Sequence, residues 1–477
     1  MNAFNSLQHS VAATLASAVP ASILLTDPDA LIRYSNDVSG IRHGRPLLVA
    51  RPRSTEELSN LMACCHRHGI PAVPQGGLTG LVGGAVASRP EGEIVVSLER
   101  MDRIRSVNVI DYAMVVEAGC VLESAKAAAD AAGCLLPIAL GSQGSCRIGG
   151  NVATNAGGFN VLRYGMTRDL VLGLEVVLAD GRVWNGLRTL RKDNRGYDLK
   201  QLFIGSEGTL GIVTAVALKL FPRPEQVETA FLAVESIEAA MQLYARARRQ
   251  CSDLLSAFEL ILRPGLEVAL RSRTDLRDPL QEAHPVYILA EVSATGRIDL
   301  RGLMEGFLFD SGDILRDGVI ASNRAQADRL WLLREVMVDR QGRGGPYLRS
   351  DVSVPISRIA GFVSDALAAL ARSHPDATPI TYGHVGDGNL HLNVIPPEGM
   401  APEAIPAMIH EAEEVLFDIL DRHGGSISAE HGIGLVKQAA YLHRVDATTL
   451  DLSRRIKDAF DPCHLLSEGR IFNGHAK

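Results

Sequence analysis

The spacing of apolar positions changes character along the chain, and each change predicts an element. Ser54-Thr-Glu-Glu-Leu opens a helix that runs to about His68, with Ser54 as N-cap and Glu57 three residues on as its capping-box partner. Short apolar runs at Pro46–Pro52, Ile70–Pro74, Ile94–Leu98 and Met114–Ala118 predict strands, and Leu122–Ala132 predicts a helix with alanines on its packed side. Gly173–Gly181 is β-rich and ends in the hairpin signal Asp180-Gly181. From about Pro222 the pattern becomes strand then helix, repeated: Thr229–Val234 before Ser236–Arg249, Val286–Val292 before Leu300–Asp310, and Asp351–Pro355 before Ser357–Arg372. In the first of these helices Ile237, Ala240, Met241 and Tyr244 form the stripe of a helix lying on a sheet. Further on, Leu390, Leu392 and Val394 alternate with His391 and Asn393, which predicts a strand with one apolar face and one face of potential ligands.

Between these elements lie three glycine clusters. Gln75-Gly-Gly-Leu-Thr-Gly-Leu-Val-Gly-Gly84 follows a predicted strand, so its backbone N–H groups can converge on an anion such as a pyrophosphate. It meets neither the dinucleotide fingerprint G-x-G-x-x-G nor the P-loop pattern, and a plain surface turn is the alternative. The second cluster, residues 141–158, mixes glycines with Ser142, Asn151, Thr154 and Asn155, small hydrogen-bonding groups able to line a long polar cofactor. The third, residues 202–214, again ends in a strand.

Tyr382-Gly-His-Val-Gly-Asp-Gly-Asn-Leu-His-Leu-Asn-Val394 is the stretch around which the chemistry gathers. Gly383, Gly386 and Gly388 permit a tight loop that can turn His384 and His391 toward one point, and Glu430-His431 offers a further carboxylate and imidazole. Two histidines and a carboxylate form a catalytic-metal set with a position left open for substrate. The alternative is that both histidines only hydrogen-bond within a turn.

Composition narrows the class. At 477 residues the chain exceeds one core, so at least two domains are expected. Its 46% hydrophobic and 22% charged content is that of a globular protein. The net charge of −7, spread without long runs, leaves no footprint for nucleic acid or an anionic membrane. Seven scattered cysteines with no C-x-x-C pair argue against a disulfide framework and for a reducing compartment. Met1-Asn-Ala-Phe-Asn-Ser has no basic leader, and no run reaches the roughly 18 apolar residues of a membrane span, so a cytoplasmic location is expected.

The three clusters, in this order and spacing, resemble the flavin-binding half of FAD-linked oxidoreductases of the vanillyl-alcohol oxidase and p-cresol methylhydroxylase type. The histidine stretch, with Arg191-Lys-Asp-Asn194 and Ser428-Ala-Glu-His-Gly-Ile-Gly434, narrows the likeness to the D-2-hydroxyacid dehydrogenases, from about residue 45 to the carboxy terminus. The resemblance implies an α+β fold: a two-part FAD-binding domain over residues 1–221, an α/β sandwich cap carrying substrate and metal over 222–445, and a segment, 446–477, returning to the FAD domain. It assigns FAD contacts to Pro74, Gly76, Gly77, Leu78, Thr79, Gly80, Gly141, Ser142, Gly149, Asn151, Thr154, Gly157, Gly158, Glu207, Gly208, Gly211 and Ile212. In relatives that attach FAD covalently a histidine commonly follows the first Gly-Gly pair; Leu78 stands there, so non-covalent FAD is expected, with Cys146 read as a small core residue. Ser467-Glu468 replaces the family's usual Asn-Pro in the closing segment.

The implied chemistry is oxidation of a D-2-hydroxyacid to the 2-oxoacid by hydride transfer to flavin N5, with His384, His391 and Glu430 holding a divalent metal, zinc by resemblance, that acidifies the hydroxyl. Manganese or iron also suits this donor set. His431 is the expected general base, Asn393 holds a substrate oxygen, and Arg334 grips a carboxylate with two parallel bonds. Val338 and Arg349 stand where nearer relatives carry threonine and lysine; alternatively Arg334 and Arg349 are solvated or pair with Glu335 and Asp351. D-2-hydroxyglutarate is the expected substrate, with D-lactate, glycolate and D-malate as alternatives, electron-transfer flavoprotein as acceptor and a homodimer as assembly. A non-catalytic FAD-binding subunit and an oxygen-using oxidase are the rival readings.

Overall fold

The protein is described by a computed structural model covering residues 3–38, 40, 44–89, 92–340 and 345–472, with the backbone alone at residues 3 and 338–340. Chain contacts divide it into two units: Met1–Gly158, Gly165–Arg223 and Glu430–Lys477 form the first, and Phe159–Tyr164 with Pro224–Ala429 form the second.

In the first unit, β1 (Leu24–Leu25), β2 (Val49–Ala50), β3 (Ala72–Gln75) and β4 (Ile94–Ser97) build a small sheet in the order β1-β2-β4-β3, with β2, β4 and β3 parallel. The helix Thr55–His68 connects β2 to β3, as the spacing expected. Ser54 Oγ accepts from Glu57 N at 3.2 Å, whereas the Glu57 carboxylate takes Arg53 N at 2.8 Å instead of Ser54 N. The capping box is therefore half formed, its return bond displaced by one residue because the Arg53 guanidinium also holds Glu57. Ala3–Ala16 is a helix that the pattern left as a tail.

A second sheet of β5 (Ile104–Asn108), β6 (Ala113–Glu117), β8 (Val171–Val177), β9 (Val183–Gly186) and β10 (Ile212–Lys219) runs β5-β6-β10-β8-β9, all antiparallel, and β7 (Cys134–Leu135) pairs β11 (Phe221–Pro222). The Asp180-Gly181 hairpin joins β8 to β9, with Gly181 at φ 89° where a side chain would strain the turn.

The second unit is one antiparallel sheet of β12 (Gln226–Val234), β13 (Leu255–Leu262), β14 (Val286–Ala294), β15 (Leu315–Ile320), β16 (Val352–Ser353), β17 (Thr378–His384) and β18 (Asn389–Ile395), ordered β15-β12-β14-β13-β17-β18-β16. Helices Arg263–Ser272 and Arg324–Arg340 pack with Phe231, Ile261, Tyr287, Leu289 and Ile380, all fully buried. Helices Ile237–Cys251 and Leu300–Asp310 contact β12 and β14, and Ile359–Ser373 lies between Ile237–Cys251 and Ile405–Arg422. A sheet covered on both faces needs apolar side chains at nearly every position, and each such burial contributes about 1.5–3 kcal/mol. The expected helix stripe is rotated: Ala240, Leu243, Tyr244, Ala247 and Cys251 are buried and Met241 is not. Among the described residues no helix is long and apolar enough to cross a membrane.

Candidate active site

β3 ends at Gln75, and the first glycine cluster follows it directly. Gln75 is buried, and its amide donates to Tyr34 O at 3.0 Å and Ala85 O at 2.9 Å, tying both ends of the loop. At Gly77 an added Cβ would sit 2.2 Å from Ser145 O, so this loop lies directly on the second cluster. Gly208 of the third cluster closes on the same loop, its Cβ position 3.1 Å from Pro74 Cγ. The three clusters that the spacing singled out thus meet in one place.

At Gly80, Gly141 and Gly150 an added Cβ would find nothing within 4 Å, so these positions present bare backbone to open space. Leu78 is held at φ 58°, a left-handed conformation that costs an ordinary residue about 1–2 kcal/mol and bends the chain between Gly77 and Gly80. A side-chain-free surface of this kind fits the diphosphate of FAD.

Other assigned positions serve the framework around it. Gly149 packs with its Cβ position 2.6 Å from Ala118 Cβ, Gly211 lies equally tight on Val176, and Ile212 is buried in β10. Asn151 is buried with its amide on Cys146 Sγ, Thr154 Oγ1 donates to Gly150 O at 3.0 Å, and burial pushes the Cys146 thiol pKa up. Ser142 and Thr79 are half-buried.

Glu207, also at positive φ (53°), accepts from Ile433 N and Gly434 N at 2.8 Å each. Burial raises its carboxyl pKa, against the pull of those two donors and of Lys437 and Arg470. Glu430, in the same stretch, accepts from Gly158 N at 2.7 Å, and its Oε1 lies 2.6 Å from where a Gly157 Cβ would stand. Half-buried His431 follows it.

The second unit holds the histidines. β17 and β18 form a hairpin in which Gly383 and Gly388 leave no room for a side chain: a Cβ would lie 2.3 Å from Asn389 O and 2.2 Å from Val354 O. The ring centroids of His384 and His391 stand 6.2 Å apart, and each Nδ1 already has an acceptor, Glu259 Oε1 at 2.5 Å for His384 and Ser350 O at 3.2 Å for His391. Burial disfavours a charged His384, but the adjoining Glu259 carboxylate outweighs it and lifts the imidazole to a pKa of about 9.

Arg334, on the helix Arg324–Arg340, is 1% exposed and gives its Nε to Glu259 Oε2 at 2.9 Å. Its guanidinium lies 4.4 Å from the Tyr382 ring centroid and 5.4 Å from that of Phe159, while Nη1 is buried with no hydrogen-bond partner among the described residues. Arg334 is therefore buried rather than solvated, and its ion pair is with Glu259. Arg349 is exposed and stacks on Tyr347 at 4.9 Å. Asn393 is buried, its Oδ1 accepting from Ser350 N at 2.9 Å and its amide donating to Tyr382 Oη at 3.3 Å. The side chain of Val338 lies outside the described residues.

Glu259, Phe159 and Trp331 were not singled out from the sequence. Glu259 had a signal: it is the one charge in the apolar run Leu255–Leu262, and a carboxylate buried there requires partners. Phe159 had none, since it ends a glycine cluster assigned to the flavin and yet packs at 5.4 Å on both Trp331 and His384. Among the described residues no group of three or more His, Cys, Asp or Glu side chains stands ready to hold a metal. The donors fit a metal in their chemistry all the same, because a ligating histidine usually donates its second ring N–H to a carboxylate or carbonyl, as His384 and His391 do.

A model described as an FAD binding domain matches residues 46–186, and one described as FAD linked oxidases, C-terminal domain, matches residues 223–471. With the glycine cradle, these define a flavin-dependent oxidoreductase. A D-2-hydroxyglutarate dehydrogenase of Xanthomonas citri pv. viticola is 39% identical over 464 residues, 97% of each chain. The mitochondrial D-2-hydroxyglutarate dehydrogenase of Bos taurus is 38% identical over 467 residues, 97% of this chain and 84% of that protein. A solved structure of p-cresol methylhydroxylase with substrate bound superposes with a TM-score of 0.76 at 16% identity, covering 98% of this chain and 97% of that one. The chain belongs to the FAD-linked oxidase family, and its fold is that of p-cresol methylhydroxylase.

Proposed function

We propose that the protein oxidises a D-2-hydroxyacid, D-2-hydroxyglutarate before others, to the 2-oxoacid. The observation that carries this reading is the buried guanidinium of Arg334: a cation 1% exposed whose Nη1 has no partner among the described residues calls for an anion, and a substrate carboxylate supplies one. The names of the bacterial and bovine relatives supply the five-carbon diacid.

When bound, FAD supplies the acceptor for the hydride leaving C2, and a divalent cation held by His384, His391 and Glu430 lowers the pKa of the substrate hydroxyl. His431 takes the hydroxyl proton as general base, and Asn393 holds a substrate oxygen. Non-covalent flavin accords with Leu78 in place of an attaching histidine and with the buried, raised-pKa thiol of Cys146. The exposure of Arg349 favours one second reading, a monocarboxylic D-hydroxyacid such as D-lactate, which needs a single buried cation. Electron-transfer flavoprotein as acceptor and a homodimeric assembly rest on the family resemblance.

Dye-linked oxidation of D-2-hydroxyglutarate, its L enantiomer, D-malate and D-lactate tests the proposal, with a chelator and then zinc or manganese added. The expected outcome is D-specific turnover of the five-carbon diacid, lost with chelator and restored by metal. Preference for D-lactate moves the assignment to the second reading, and a flavin-loaded protein that turns over none of the four overturns both.

A further inference from the structure

We propose that Glu259 is the positioning residue of this chemistry, a single carboxylate that orients both the cation-binding imidazole of His384 and the carboxylate-binding guanidinium of Arg334. The inference rests on the hydroxyacid reading above and goes beyond it, because it makes metal affinity and substrate affinity depend on one side chain.

The geometry is specific. β13 and β17 pair in a register that sets Glu259 directly across from His384. Glu259 is 1% exposed, so water cannot substitute for either partner. Oε1 holds His384 Nδ1 at 2.5 Å and Oε2 holds Arg334 Nε at 2.9 Å, so both oxygens are in use. With Nδ1 committed to the Glu259 carboxylate, the nitrogen available to a cation is Nε2, which gives up its proton as the cation binds. With Nε committed, and Tyr382 and Phe159 against the guanidinium, Arg334 has no freedom to turn, and its buried Nη1 is left for an anion.

Glutamine in this place cannot satisfy both partners. An amide has one acceptor oxygen and one NH2, whereas both neighbours present N–H groups to a carboxylate. If the NH2 faces Arg334, two donors confront each other and the guanidinium loses its anchor. If it faces His384, the imidazole must accept at Nδ1, which moves its proton to Nε2 and blocks the cation. Aspartate keeps the charge but withdraws it by one methylene, so it cannot reach both partners at their present distances.

A merely structural ion pair would show the same burial, and a second buried glutamate separates the two explanations. Glu291, on neighbouring β14, accepts from Trp331 Nε1 at 2.8 Å, Thr229 Oγ1 at 3.1 Å and Ser256 Oγ at 3.2 Å and touches neither His384 nor Arg334 in these bonds. Glu291→Gln therefore reports loosening of the sheet alone.

The experiment uses full-length, flavin-loaded protein as wild type, Glu259→Gln, Glu259→Asp and Glu291→Gln. Zinc and manganese affinities are measured without substrate, by competition with a chromophoric chelator; kcat and KM for D-2-hydroxyglutarate are measured at saturating metal. The expected result for Glu259→Gln is a roughly 10- to 100-fold loss of metal affinity, a raised KM, or both, with flavin content unchanged, while Glu291→Gln matches wild type. If Glu259→Gln does not fold, Glu259→Asp carries the test and must weaken at least one of the two affinities. The proposal is overturned if the Glu259 variants bind metal and substrate as wild type does, or if Glu291→Gln loses as much. A wild type that binds no metal and oxidises no hydroxyacid sinks the functional reading itself, which is a separate outcome.

Discussion

Arg334 is the residue whose environment is least explained by folding alone. A guanidinium that is 1% exposed, with Nε on Glu259 and its face toward Tyr382, is tied to the second unit, yet Nη1 has no hydrogen-bond partner among the described residues. Leaving a buried donor unmade costs about 1–3 kcal/mol, a cost that a bound carboxylate would remove. Arg334→Leu should therefore raise KM for the hydroxyacid at least about 10-fold, since truncating one member of a buried charge pair costs about 2–5 kcal/mol, and flavin content should not change. Steady-state kinetics beside the flavin absorbance of the purified variant checks both. If KM does not move, Arg334 is a structural partner of Glu259 and the carboxylate is gripped elsewhere.

The β17–β18 hairpin is the element that sets the two histidines, and its turn is built on glycine. Gly388 has φ 80°, and a Cβ there would stand 2.2 Å from Val354 O, so Gly388→Ala meets both a disfavoured backbone and a backbone clash. The variant should lose roughly 1–3 kcal/mol of stability, read as a lower thermal midpoint, and should bind metal more weakly because His384 and His391 flank the turn. This hairpin also shows what the sequence made legible. The alternation from Leu390 to Val394 gave β18, its faces and the histidine spacing, because a half-ligand strand writes a period of two into the chain. β17 was not legible: Thr378-Pro-Ile-Thr-Tyr-Gly-His384 mixes a proline and a glycine into a short run, and its strand state depends on pairing with β13 and β18. The link from His384 to Glu259 spans 125 positions and is a tertiary fact that no local pattern encodes. The glycine clusters were legible as a set, since their bare backbone is a local requirement, but Glu207 and Glu430 were not legible as hydrogen-bond acceptors for Ile433, Gly434 and Gly158.

Across the whole molecule, the first unit is assembled from pieces far apart in the chain, and a buried cation fastens the last of them. Buried Lys457 donates its Nζ to Thr209 O at 2.8 Å, Asp461 Oδ2 at 2.6 Å and Leu466 O at 2.9 Å. Burial draws the Lys457 pKa down, opposed by Asp461. Lys457→Met leaves the Asp461 carboxylate buried without its cation, a loss of about 3–5 kcal/mol, and because Thr209 lies within the third glycine cluster it should also weaken flavin retention. Urea unfolding followed through flavin fluorescence measures both, and an unchanged midpoint would show that the closing segment is held by its apolar contacts alone.

The two units interleave along the chain, since the first takes residues up to Gly158, resumes at Gly165, breaks off at Arg223 and returns at Glu430. No single cut yields two self-sufficient halves. A fragment ending at Arg223 would lack the lysine that clasps Thr209, and one starting at Pro224 would lack Phe159, the aromatic partner of both Trp331 and His384. Shuffling modules between relatives at one crossover would carry half of each clasp into a foreign setting, so exchange of the catalytic unit requires four junctions moved together, and the two activities, flavin retention and substrate choice, are inherited as a set.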